Sequence, residues 1–132
     1  MQPDQVSKQN VKDRCKDMLC MDLYVVFTRR APGVTLAQMR EVTPVHLAYQ
    51  VDLERRGVMW GAGPLFTPDD QSWEGDGMVI VRAKSLEDAH AIASADPMHQ
   101  RGVRQFEIRP WLLNEGSMTI RVSFSDGRQH IA

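Results

Sequence analysis

The 132-residue sequence has few cysteines, no long apolar run and no excess of charge of either sign. Its two cysteines, Cys15 and Cys20, have no Cys/His cluster near them, which argues against a zinc site and predicts two reduced thiols. The N-terminal segment is polar, and no run approaches the ~18 apolar residues of a membrane span. We therefore expect a cytoplasmic protein without a membrane anchor. The 16 basic and 17 acidic residues give a net charge of −1, which offers no basic field to DNA or RNA.

Motifs for phosphate and metal binding are also missing. Gly61 and Gly63 are not followed by Lys-Ser/Thr, and no helix is expected to begin there, so no nucleotide cofactor is expected. The histidines are separated, with no carboxylate at ligand spacing, so no metal site is expected. With 42% hydrophobic residues, a chain of this length can bury one core.

Hydrophobic periodicity predicts four strands and two helices after a polar lead-in. A helical stripe after Thr35 is interrupted by Pro44, which predicts either one kinked helix or a second helix capped by Thr43. Ser85 is the predicted cap of the other helix. A C-terminal hairpin turns at Asp126-Gly127. The predicted strands are 23–28, 58–62, 78–83 and 103–111, and the predicted helices are 35–53 and 86–93.

The resulting β-α-β-β-α-β order predicts a ferredoxin-like α+β fold, an antiparallel sheet with both helices on one face. Tyr24–Phe27 and Met78–Val81 are continuously apolar, so both faces of these strands should be buried. A second copy of the sheet would cover the face that the helices leave open and give a homodimer, while the C-terminal hairpin is the alternative cover. We predict an N-terminal extension over 1–21, a core domain over 22–114 and a hairpin extension over 115–132.

Two polar side chains suit acid/base chemistry, His46 after the proline of the first helix and Asp96 at the end of the second. A histidine with a pKa near ~6.5 exchanges protons at neutral pH, and a carboxylate on its second nitrogen would fix the tautomer. Proton abstraction, double-bond migration or elimination would follow. Two alternatives stay open, because His46 also fits a core position and Asp96-Pro97 also fits a helix N-cap. A separation of about 3 Å would support a dyad, and one beyond ~6 Å would not.

Aromatic side chains and a Gly-Pro turn are candidates for the wall of a small-molecule pocket. For the aromatic members, ordinary core packing is the alternative. The candidate substrate-binding residues are Tyr24, Tyr49, Trp60, Gly63, Pro64, Met98 and His99.

Four pieces of the chain, taken in order, resemble the YCII-like family. They are the run from His46-Leu47-Ala48-Tyr49 to Gly57-Val58, the turn Gly61–Leu65, Asp96-Pro97 after the second helix, and Ile108-Arg109-Pro110-Trp111. The resemblance spans about residues 22–111 and implies a dimeric α+β barrel in which His46 and Asp96 match the His–Asp pair held to be the family's active site.

The resemblance also implies what such a protein does. YCII-like proteins are linked with dehydrochlorination of chlorinated hydroxyquinols, and relatives of the wider fold include muconolactone isomerases and haem-degrading monooxygenases. We therefore expect a cofactor-free lyase or isomerase acting on a small cyclic or aromatic-derived metabolite. A non-catalytic dimer that binds a ligand in the same pocket is the alternative, and a haem-binding role is a third possibility.

Overall fold

The computed structural model describes residues 2–132, and the statements below refer to that range. Strands and helices follow one another in the order that the sequence predicts. Two further helices are present, one before the first strand and a short one directly after the second predicted helix. The elements are α1 Lys8–Arg14, β1 Met21–Arg30, α2 Leu36–Arg55, β2 Met59–Pro64, β3 Gly77–Val81, α3 Leu86–Ser94, α4 Pro97–Gln100, β4 Arg104–Leu113, β5 Ile120–Val122 and β6 Gln129–Ile131.

The first four strands form one sheet in the order β2-β3-β1-β4. β3 is antiparallel to both of its neighbours, so that Val79 lies opposite Val26 on one side and Ala62 on the other. The predicted ferredoxin-like α+β fold is confirmed. β5 and β6 pair with each other in a separate antiparallel sheet, which is the predicted C-terminal hairpin.

Successive residues of a strand point to opposite faces of the sheet, and both faces of β1 are buried. Tyr24 packs with Val81 and with Ala89 of α3, which identifies the face that carries the helices. Leu23 and Val25, which alternate with it, are only 1% and 7% exposed. The consecutive apolar residues of this strand therefore predicted its burial correctly.

Two tryptophans lie on the face of the sheet away from the helices. Trp60 belongs to β2 and Trp111 to β4, the two edge strands, yet their rings meet edge to face with centroids 6.1 Å apart. Both side chains must therefore extend across the same face. Trp111 alternates with Ile108, which packs in the cluster on the helix face, so the shared face is the opposite one.

The first long helix is continuous through Pro44. It begins at a capping box in which Thr35 and Gln38 bond each other's backbone, and it runs to Arg55. Of the two sequence alternatives, one helix is therefore correct. Pro44 has no N–H to donate to the carbonyl of Arg40, four residues earlier in the helix. Both residues are exposed, so water can donate a hydrogen bond to that carbonyl instead.

The helix α1 was not expected from the sequence. Ser7 caps it by accepting a hydrogen bond from the Asn10 amide at 3.1 Å, but none of its residues is buried, so it has no apolar stripe to reveal it. The chain divides into two compact units, Asp22–Leu112 and the segment up to Met21 together with Leu113–Ala132. None of the helices described is both long enough and apolar enough to cross a bilayer.

Candidate active site

An open groove of about 590 Å³ lies between α2 and the strands β2 and β3. His46, Gln50 and Glu54 line it from one side of α2, because residues four apart share a helix face. Apolar side chains dominate the rest of the wall, which is typical of small-molecule sites. The other lining residues are Thr28, Thr43, Leu47, Val51, Met59, Ala62, Gly63, Pro64, Phe66, Trp73, Gly77, Met78, Val79, Met98 and Arg104.

His46 and Asp96 meet beside this groove although they are 50 positions apart in sequence. Nδ1 of His46 lies 2.8 Å from Oδ1 of Asp96 and 2.9 Å from Oδ2, so one N–H is shared by both carboxylate oxygens. The side chains are 13% and 5% exposed. This geometry meets the distance that a dyad requires.

Asp96 is held by its neighbours and caps α4 as well. Oδ1 accepts a hydrogen bond from the Met98 amide at 2.9 Å, and Pro97 occupies the first helical position. Oδ2 accepts a hydrogen bond from Nε2 of Gln50 at 2.9 Å. Capping and contact with the imidazole therefore coexist in one carboxylate.

The surroundings of Asp96 favour its charged form. Burial is the largest single influence and opposes ionisation, but the hydrogen bond and charge of His46, the Met98 amide and the charge of His99 together outweigh it. The pKa of Asp96 is therefore lowered from its ordinary 3.8. At neutral pH this carboxylate acts as a fixed acceptor.

An ionised carboxylate can only accept hydrogen bonds, so neutral His46 must carry its proton on Nδ1. Nε2 then has a free lone pair. Within residues 2–132 it has no hydrogen-bond partner, and His46 lines the groove. The arrangement allows Nε2 to take a proton from a molecule bound there.

His99 lies near the same carboxylate but has no nitrogen to spare. Nδ1 donates to the Ala93 carbonyl at 2.6 Å, and Nε2 therefore accepts from the Thr28 hydroxyl at 2.8 Å. The ring packs on Phe106 with centroids 4.4 Å apart. Burial is the largest influence on its pKa and lowers it from the ordinary 6.5, which favours the neutral imidazole. His99 borders a cavity of only about 10 Å³ and does not line the groove.

Comparison with known proteins identifies the family. A model of the YCII-related domain matches residues 22–112, well over half of the chain. The chain belongs to the YCII-related domain family. Among curated proteins, none matches this sequence.

One solved structure similar to it is 5-chloro-2-hydroxyhydroquinone dehydrochlorinase (TftG) from Burkholderia phenoliruptrix, in complex with 2,5-dihydroxybenzoquinone. The TM-score is 0.52 and the identity 22%, and the match covers 67% of this chain and 92% of that one. At this identity the likeness supports the fold.

The residues predicted to bind substrate in this YCII-related domain do not all lie at the groove. Gly63, Pro64 and Met98 line the groove. The others do not. Tyr24 belongs to the core, and the Tyr49 hydroxyl donates to the Ile92 carbonyl at 2.6 Å in the small cavity beside His99. Trp60 lies on the face of the sheet away from the helices.

The polar residues that line the groove of this YCII-related domain but were not predicted include Gln50, Arg104 and Thr28, and the first two left a signal in the sequence. Gln50 follows His46 by one helical turn, so a helical projection places both on one face. Arg104 is in phase with Phe106 and Ile108 of the alternating fourth strand, which puts a charge on the apolar side. Thr28 left no such signal, because a hydroxyl at the end of a strand is common. Within residues 2–132, no three His, Cys, Asp or Glu side chains are grouped to hold a metal ion.

Proposed function

We propose that this protein is a small cytoplasmic, cofactor-free enzyme of the lyase type, in which His46 and Asp96 act as an acid/base dyad on an aromatic-derived or cyclic metabolite. One observation carries the proposal. Asp96 holds Nδ1 of His46 with both oxygens, at 2.8 and 2.9 Å, while the ring borders a groove that can admit a ligand. The site thus combines an oriented base with a place for its substrate.

The proposed reaction is an elimination. Nε2 of His46 accepts a proton from a hydroxyl or carbon of the substrate, and the electron pair left behind forms a new double bond. A leaving group on a saturated carbon departs with its bonding electrons, so charge balances. For a ring chloride, the proton taken from one hydroxyl is first delivered to the carbon that bears chlorine, and loss of a second hydroxyl proton then expels chloride and leaves a quinone. Asp96 stabilises the imidazolium until solvent takes the proton. If the proton were returned to another carbon, the same dyad would catalyse a double-bond migration.

The groove and the relatives support this substrate class. About 590 Å³ suits a small molecule, and Phe66 and Trp73 offer aromatic faces for a flat ring. Elimination is favoured over migration because the similar structure TftG is named a dehydrochlorinase and holds a single-ring quinone.

A homodimer is part of the proposal. Trp60 and Trp111 are 41% and 38% exposed on the sheet face away from the helices, and a second sheet packed there would bury them. Light scattering should give twice the mass of one chain, and Trp111→Glu should halve it. A wild-type protein that stays monomeric at every concentration would contradict this part.

The test of the dyad uses a chlorinated hydroxyhydroquinone under anaerobic conditions, since such rings oxidise in air. Chloride release and quinone absorbance are followed together. His46→Gln is expected to lower turnover by about 10²- to 10⁴-fold, the usual contribution of general acid/base catalysis. Asp96→Asn can keep the cap on the Met98 amide, but its amide group no longer fixes the proton on Nδ1, so turnover should fall as well.

His90→Gln is the matched control, because His90 is exposed on α3. If His46→Gln and Asp96→Asn turn over at the parent rate, the dyad proposal is wrong. If the wild type binds 2,5-dihydroxybenzoquinone but releases no chloride from any chlorinated ring, the protein is a non-catalytic binding protein.

A further inference from the structure

The groove is lined by a buried cation, Arg104, whose guanidinium is only partly hydrogen-bonded within residues 2–132. Arg104 opens β4 and is 8% exposed. Its Nε donates to the Gly75 carbonyl at 3.1 Å, and within residues 2–132 neither Nη1 nor Nη2 makes a hydrogen bond or a salt bridge. A guanidinium has five N–H donors and stays charged in proteins. Neither Nη1 nor Nη2 is among the described buried side-chain atoms that lack a partner, so both nitrogens can be reached from the groove that Arg104 lines.

The carboxylates that attract Arg104 do not bind its free donors. Asp96 and Asp76 attract the guanidinium and oppose the burial that lowers its pKa, but neither lies within salt-bridge distance of it. Asp96 is already bonded to His46, Gln50 and the Met98 amide. The free donors of Arg104 are therefore available to a molecule in the groove that it lines.

The backbone that holds Arg104 is itself fixed. Gly75 has a φ of +102°, and a Cβ there would lie 3.0 Å from Sδ of Met39 and 3.1 Å from Cβ of Arg30. Arg30 also donates from Nε to the Glu74 carbonyl at 3.1 Å. The Gly75 carbonyl is thus packed in place, so the guanidinium is oriented before any ligand arrives, which favours binding.

The groove has opposite charges at its two ends. The Val103 carbonyl bonds the Ala31 amide, which places Arg104 at the end of the sheet where Thr28 pairs with Gly77. Glu54 lies near the other end, two helical turns beyond His46 on α2. Apolar and aromatic side chains lie between them. An anionic group on a flat ring would therefore be directed to the Arg104 end.

We propose that Arg104 binds an anionic oxygen, a carboxylate or an ionised phenol, on the flat ring that occupies the groove, and so selects anionic aromatic ligands. The claim that these ligands are substrates rests on the proposed function. The claim that Arg104 binds them depends only on the geometry of the groove. Guanidinium groups recognise such oxygens through paired N–H donors in a fixed plane.

The experiment compares two quinones of one skeleton by calorimetric titration near neutral pH. In 2,5-dihydroxybenzoquinone each hydroxyl is conjugated to a carbonyl, as in a carboxylic acid, so the molecule is anionic. Its dimethoxy analogue is neutral. Wild-type protein should bind the anion about tenfold or more tightly than the neutral analogue, and Arg104→Met should reduce that preference to about threefold or less. Taking the ratio in both proteins cancels the effect of the added methyl groups.

Arg101→Met is the matched control, because Arg101 is exposed three residues away and its loss changes the net charge equally. It should keep the wild-type preference. If Arg104→Met does not fold, Arg104→Lys decides, since it keeps the charge but loses the planar pair of donors, and the preference should fall by about threefold or more. Equal binding of both quinones by the wild type would overturn the proposal, and so would an unchanged preference in the folded Arg104 variants.

The two proposals fail differently. A protein that prefers the anion but catalyses no elimination overturns the proposed function and supports the role of Arg104. A protein whose turnover depends on His46 but which shows no preference for the anion supports the dyad and overturns the role of Arg104.

Discussion

Two histidines lie around one carboxylate in this protein, and they differ in what their second nitrogen does. The charges of His46 and His99 both lower the pKa of Asp96. His46 gives one nitrogen to Asp96, and its ring borders the groove. His99 uses both nitrogens inside the protein, on Ala93 and Thr28.

The difference shows how one residue type can serve chemistry in one place and stability in another. A base needs a lone pair that a substrate can reach, and a fully bonded imidazole has none. His99 instead connects α4 to the end of α3 and to β1 through its two hydrogen bonds. Proximity to a carboxylate is therefore a weaker guide to function than the occupancy of both ring nitrogens.

Truncating each histidine should separate the two roles. His99→Ala removes a packed ring and leaves the Ala93 carbonyl and the Thr28 hydroxyl without their partners, so the free energy of unfolding should fall by about 2 to 4 kcal/mol. His46→Ala should cost about 1 to 2 kcal/mol, because Asp96 keeps Gln50 and the Met98 amide. Urea unfolding followed by circular dichroism measures both.

His90→Ala is the control for this comparison. Its ring also contacts Phe106, with centroids 5.2 Å apart, but it is exposed, so its loss should change stability by about 0.5 kcal/mol or less. A larger stability loss for His46→Ala than for His99→Ala would reverse the assignment of the two roles.

The sequence predicted the fold well because periodicity reports burial. The alternating and continuous apolar strands, with Ser85 capping the second helix of the core, were enough to identify the ferredoxin-like order. Helix α1 was not predicted because it has no buried residues and therefore no apolar stripe. The sequence could not show whether Pro44 lies within one helix or between two. A helix can continue through a proline where the interrupted turn is exposed to water, and the sequence alone does not show that exposure.

The site was predictable only in part. His46 and Asp96 were paired through family resemblance, since periodicity places residues on faces and does not measure distances between elements. His99 could not be told apart from a pocket histidine, because its partners include a backbone carbonyl 6 residues away and a hydroxyl 71 residues away. Phe66 and Trp73 line the groove but were not among the residues predicted to bind substrate.

The smaller expected effect is a pH dependence that belongs to His99. Burial lowers its pKa below the ordinary 6.5, whereas the unfolded chain keeps the ordinary value. As the pH falls through 6.5, the unfolded state takes up a proton that the folded state resists, so the free energy of unfolding decreases. Asp96 does not contribute in this range, because its pKa lies below 3.8.

Urea unfolding of the wild type at about pH 7.5 and about pH 5.5, compared with His99→Gln, isolates the effect, since every other histidine is common to both proteins. The variant should lose less stability on acidification than the wild type does. Identical losses would mean that His99 accepts its proton as readily inside the protein as in water, which would contradict this prediction.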